Sequence, residues 1–130
     1  MESTPVPQEV LEIARFLRFF ARARIYWPID RLAGAFSFDD VVRTLENALR
    51  QAKVALDSAE IITDESGKTR RVVRVRDQYI PAPWIPSEKV VKTFYELCKK
   101  DLLYAKIAAS LALALPEISQ KEASRLEEVN

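Results

Sequence analysis

From Glu9 to Trp27 the chain contains neither glycine nor proline, and good helix formers stand at Leu11, Ala14, Leu17, Ala21 and Ala23. This pattern predicts a helix that ends or kinks at Pro28, followed by a short helical piece, 29–33, that runs to Gly34. Ser37 then offers an N-cap, and Asp40 three residues later offers a variant of the capping box. Phe36 and Val41 occupy the two staple positions. The helix so started runs to about Ala59. Its apolar positions Phe38, Val42, Leu45, Leu49, Ala52, Leu56 and Ala59 alternate four and three apart, a heptad seam that needs another helix beside it.

The period then changes. Residues 60–63 and 70–76 read as two short strands around the turn Asp64-Glu65-Ser66-Gly67-Lys68. Tyr79 to Pro86, with Pro81, Pro83 and Pro86, reads as an extended polyproline-like connector. Within it, Trp84 is expected to anchor the loop with a buried ring. Ser87 caps a long helix to Leu115, with Val91, Phe94, Cys98, Leu102, Ala105, Ala109 and Ala112 on one face, and Pro116 stops it. Ser119 with Glu122 signals a short last helix to Glu128. The expected fold is mainly α, with a helix–Pro–helix N-terminal arm over 1–36 and an antiparallel helical bundle over 37–130. One small β-hairpin lies near 60–76, and the whole forms a single structural unit.

Composition narrows the chemistry more than the fold. A chain of 130 residues that is 48% hydrophobic suits one domain with a real core. The one cysteine, Cys98, has no partner for an intrachain disulfide, the first eight residues lack a signal-peptide pattern, and the longest apolar stretch, 107–115, is far short of the ~20 residues of a membrane span. A non-secreted protein outside the membrane is therefore expected. There is no histidine, which removes the commonest general base and the commonest metal ligand. Neither GxxxxGK[ST] nor GxGxxG occurs. The acidic pairs Asp39-Asp40 and Asp64-Glu65 fit a helix N-terminus and a turn. No catalytic residue, cofactor, metal or small-molecule substrate is expected. Few Asn and Gly, with Arg outnumbering Lys, lean towards a hot habitat.

Charge supplies the positive lead. The net charge is only +1, yet two segments hold nine of the twelve arginines. Residues 15–31 carry Arg15, Arg18, Arg22, Arg24 and Arg31 against one acid, Asp30, and residues 68–76 carry Lys68, Arg70, Arg71, Arg74 and Arg76 against none. On a helix Arg15, Arg18 and Arg22 share an arc of roughly 60°. In the second strand Arg74 and Arg76 fall on one face and Val73 and Val75 on the other. The planar guanidinium fork suits phosphate, and aromatics among the arginines suit sugar or base contact. These ten basic residues are the candidate nucleic-acid contacts. The apolar stripes of the two N-terminal helical regions, Phe16, Phe20, Trp27, Phe38, Val42, Leu45, Leu49 and Leu56, are candidates for packing between subunits. Ion-paired surface and edge-strand protection are the competing readings of the arginines.

This layout, Arg15 to Arg31 with Pro28 as hinge and then Phe38 to Ala59 and Val90 to Leu115 as bundle, resembles the major coat proteins of filamentous or rod-shaped archaeal DNA viruses. The resemblance implies a structural, sequence-indifferent protein that coats double-stranded DNA, polymerises into a filament with itself or a related second coat subunit, and resides in the virion or host cytoplasm. The strand hairpin and the proline-rich connector depart from the plainest all-helical members of that family. Two alternatives stand beside it. One is a winged-helix transcriptional regulator with the basic hairpin as wing, against which Asp39 and Asp40 sit where a recognition helix meets phosphate. The other is a protein-only oligomerisation module built on the heptad seam. A peripheral membrane helix is a minor further option.

Overall fold

The computed structural model describes residues 5–114. Its elements in chain order are α1 (Gln8–Arg22), α2 (Trp27–Ala33), α3 (Phe38–Asp57), β1 (Glu60–Thr63), β2 (Thr69–Val75), β3 (Gln78–Pro81), α4 (Glu88–Lys100) and α5 (Leu103–Ala114). The fold is mainly α with a small antiparallel sheet, as the periodicities predict. The last helix expected at 119–128 lies outside the described residues.

The core is organised around α1. Val10, Ile13, Ala14, Phe16, Leu17, Phe19, Phe20 and Ala21 are all buried on it, so most of its circumference is covered. It packs on α5 and α4 and touches α2 and β3, while α2 also packs on α5 and α3. The small side chains Ala105, Ala108, Ala109 and Ala112 of α5 are buried against these neighbours, as expected of a helix that approaches others closely.

The break after α1 differs from the expected kink at Pro28. Arg22 ends α1, and Arg24 adopts a left-handed backbone with φ +58°. Ile25 N–H donates to Phe20 C=O at 2.8 Å and Arg24 N–H to Ala21 C=O at 3.1 Å, the paired bonds of a Schellman cap. Glycine is the usual occupant of that position, and an L-residue there costs about 1–2 kcal/mol. Pro28 lies in the first turn of α2 instead, where its missing N–H leaves no intrahelical bond unmade, and its ring is fully buried. The proline therefore starts a helix rather than ending one.

The start of α3 follows the capping signal in part. Ser37 Oγ accepts from Asp40 N–H at 3.2 Å, and the Asp40 carboxylate reaches back to Phe36 N–H at 3.1 Å. The staple does not form: Val41 is fully buried while Phe36 is 93% exposed. The buried line of α3 is Val41, Thr44, Leu45, Ala48 and Ala52, rotated from the predicted seam so that Phe38, Val42, Leu49 and Leu56 are half-buried along its edge. Two helices, α2 and α4, flank α3, which widens its buried arc beyond a two-helix seam.

The helix expected over 87–115 is two helices. Asp101 leaves helical geometry (φ −160°, ψ 119°), and its carboxylate accepts from Leu103 N–H at 3.0 Å, capping the next helix. Part of the expected connector is a third strand. The sheet order is β1-β2-β3, antiparallel throughout, with Glu60 opposite Val72 and Val73 opposite Ile80. Trp84 is half-buried and packs against the core, as its place in the connector predicts. Cys98 is 1% exposed, and burial pushes its thiol up to about 12; burial, with Glu46 and Cys98 nearby, likewise pushes the Tyr95 hydroxyl up to about 12. No helix among the described residues is long and apolar enough to cross a membrane.

Candidate nucleic-acid interface

The basic surface is built by the sheet. At the β1–β2 turn Asp64 accepts from Ser66 Oγ at 2.6 Å, Ser66 N–H at 2.9 Å and Lys68 N–H at 3.0 Å. Those bonds, the Ser66 hydroxyl first, hold the carboxyl below its usual range. Gly67 takes φ +86° there, a backbone that side chains rarely adopt. The turn fixes the register that places Ile62 opposite Arg70 and Glu60 opposite Val72.

Strand alternation then sorts β2. Val73 and Val75, with Ile80 of β3, face the helices and join the core. Arg70, Val72 and Arg74 share the opposite face, and Tyr79 stands directly across from Arg74. Arg70, Arg74 and Tyr79 are exposed, whereas Val72 is only 5% exposed on the same face. The outer sheet face thus presents two guanidinium groups and a phenol ring around an apolar floor. Its ion pairs are loose: Arg70 lies 3.5 Å from the half-buried Asp64, and Arg74 lies 3.6 Å from Asp77 at an exposed position. Pairs of this kind contribute about 0–1 kcal/mol and yield readily to a better-placed anion.

Arg76 is not on that face, contrary to the alternation expected from sequence. β2 ends at Val75, and Arg76 and Asp77 form a two-residue turn with φ +50° and +72°. Two positive φ values in succession match a type I′ hairpin, whose backbone twist suits the strands but favours Asn or Gly. Here the turn swings Arg76 towards the end of α1. Arg22, Ala23, Arg24, Val75, Arg76, Gln78 and Ile80 together line a cavity of about 240 Å³. The two basic segments, far apart in sequence, therefore meet at this corner.

The other predicted contacts are distributed differently. Arg15 is exposed on α1, with its guanidinium 4.9 Å from the Trp84 ring centre. Arg31 lies 5.4 Å from the Trp27 ring centre. Arg18 is half-buried and engaged within the protein. Arg71 and Lys68 are exposed at the far end of β2 from the cavity. The predicted stripe Arg15–Arg18–Arg22 is thus divided between a tryptophan stack, the interior edge and the cavity. Of the residues expected between subunits, Phe16, Phe20 and Leu45 are at most 1% exposed and pack within this chain, whereas Trp27, Phe38, Val42, Leu49 and Leu56 keep part of their surface. Sequence reasoning missed Tyr79 and Gln78, because the prolines after them masked the third strand. The two residues between Val75 and Gln78 were the available hairpin signal.

Residues 16–115 match the sequence profile of the Csa5 family of CRISPR-associated proteins (Cas_Csa5). The chain belongs to this family. No curated protein matches the chain. The family assignment corrects the viral-coat resemblance, and the capsid, virion and filament expectations fall with it. So do the winged-helix and protein-only alternatives. The physical reason is plain: a bent helical pair ahead of a bundle is a layout that unrelated helical proteins reach through the same packing rules, and fold does not fix function. Association with itself or with a related chain accords with the family.

Proposed function

We propose that this CRISPR-associated protein is a non-catalytic component that holds the sugar–phosphate backbone of nucleic acid on the outer face of its sheet, without reading sequence. CRISPR effectors delegate sequence reading to base pairing, and their protein surfaces meet backbone and shape. The observation that carries the reading is the placement of Arg70 and Arg74 on one solvent-facing sheet face, with Tyr79 across from Arg74 and the turn arginines at its edge. Guanidinium groups supply paired hydrogen bonds to phosphate, and the phenol ring across from Arg74 supplies sugar contact on a duplex or stacking on a single strand. Double-stranded DNA is the expected partner. Half-exposed Trp27 and Phe38 and the fully solvated Phe36 leave apolar surface for a further protein subunit.

The test is a binding titration on a random-sequence duplex and on one of its strands, comparing the natural protein with an Arg70→Ala/Arg74→Ala variant. Weakened binding in the variant, with helical circular dichroism unchanged, is the expected result. Equal binding by both proteins would move the interface elsewhere on the molecule.

A further inference from the structure

We propose that the cleft between the end of α1 and the β2–β3 turn is a discrete site for one phosphate group, with Arg24 and Arg76 as its donors beside Arg22, which is itself engaged by another group of the protein. The proposal deepens the nucleic-acid reading and rests on it for the source of the phosphate, a backbone phosphodiester at the edge of the sheet face.

Three observations converge there. The first is charge: among the described residues that line the cleft, three are arginines and none is acidic. Asp77, at the adjoining turn position, is directed to Arg74 on the other side, 3.6 Å away. The carbonyls that end α1 do not repel an anion strongly, because Phe19, Phe20 and Ala21 already accept from Ala23, Ile25 and Arg24.

The second is backbone conformation. Among the described residues only Arg24, Arg76 and Asp77 combine a side chain with positive φ. Aspartate enters that region comparatively easily, whereas arginine does not. Both left-handed arginines line this one cleft. Strained residues persist where the surrounding structure holds them, and they gather at ligand sites. Glycine at either position would relieve the backbone and abolish the charge, so the arginine side chain is what the position retains.

The third is size. At about 240 Å³ the cleft lies below the roughly 300–1,000 Å³ of pockets that enclose a whole small molecule. It has room for one phosphate with water. Ala23, Val75 and Ile80 form an apolar floor, and the Gln78 amide adds a neutral donor.

The test uses the full chain and two probes. Inorganic phosphate is titrated at constant ionic strength, with chloride as control, while amide and arginine Nε resonances are followed by nuclear magnetic resonance. A fluorescent random-sequence oligonucleotide is titrated separately. The variants are Arg24→Gly and Arg76→Gly, which suit the left-handed backbone, and, as a control away from the cleft, Arg43→Ala on the exposed side of α3. Saturable phosphate shifts confined to residues 22–24 and 75–78 are expected. Each glycine variant weakens phosphate binding about tenfold, the scale of one lost charged hydrogen-bonded contact, while its thermal midpoint holds or rises. Arg43→Ala leaves phosphate binding unchanged. Phosphate shifts scattered over all basic residues, or glycine variants that bind phosphate as the natural protein does, overturn the site. Oligonucleotide binding that persists alongside either of those results refutes the cleft and leaves the sheet reading standing. Phosphate binding at the cleft without any oligonucleotide binding refutes the sheet reading and assigns the cleft to a free phosphate.

Discussion

Replacing Phe20 with alanine tests whether α1 and α2 are locked together by their aromatic cluster. Phe20 is 1% exposed and meets Phe16 at 5.6 Å, Phe19 at 5.3 Å and Trp27 at 6.4 Å between ring centres, all edge-on. Phe→Ala at a closed core site costs about 3–5 kcal/mol, part of it the cavity left behind. The edge-to-face contacts contribute about 0.5–1.5 kcal/mol each beyond burial. A Phe20→Leu variant retains most of the apolar volume and loses the three ring contacts, so a loss of at least about 1.5 kcal/mol, short of that of Phe20→Ala, is expected. With about 3 °C per kcal/mol in a chain of this size, the alanine variant should melt about 10–15 °C lower. Urea unfolding monitored by circular dichroism measures both variants, and an unchanged m-value keeps the comparison two-state. A double-mutant cycle with Trp27→Leu should return a coupling of about 1 kcal/mol across the Arg24 turn. Loss of less than about 1 kcal/mol in Phe20→Ala would refute the cluster as the element that joins the two helices.

Two titratable groups give further tests. Cys98 should resist thiol reagents in the folded protein and react fully in urea, because burial keeps its thiol neutral with a pKa pushed up to about 12. Since that folded value lies above the ordinary 9.0, the group's stabilising contribution is complete below pH 9 and lost as pH rises from 9 towards 12. Thermal midpoints across pH 8 to 11 should therefore fall more in the natural protein than in Cys98→Ala. Asp64 runs the other way: its hydrogen bonds to the turn hold it below 3.8, so the turn is supported above that pH and loosens as pH falls through the lower folded value. Protection of the Ser66 and Lys68 amides, taken relative to their intrinsic exchange rates, should fall on acidification, and Asp64→Asn should blunt that response.

Much of the fold was legible because its signals were local. Ser37 and Ser87 mark two helix starts, and their hydroxyls accept from Asp40 and Val90 N–H as the residue types predict. Gly67 marks the first hairpin. Two of the departures involve a residue type used against its statistical habit. Arg24 ends a helix where glycine is usual, and Arg76 enters a turn that favours asparagine or glycine, so neither break had a composition signal. Asp101 followed a run of good helix formers and was indistinguishable from a helix-surface acid until its carboxylate capped α5. The candidate site was legible as charge and not as place. Arginine counts found both basic segments, but only the contact between α1 and β3 brings Arg22 and Arg24 to Arg76. The same packing removed Phe16 and Phe20 from any outer surface, because α1 is covered on most sides by this chain's own helices.

The most direct test of the central claim is the salt dependence of binding to a random-sequence DNA duplex, measured for the natural protein and for Arg74→Ala. Backbone contact predicts that log K falls linearly with log salt, by about 0.9 per neutralised phosphate, and that Arg74→Ala flattens the slope by about one phosphate. Binding that is absent at low salt, or a slope that Arg74→Ala leaves untouched, would contradict the assignment of the sheet face to nucleic acid.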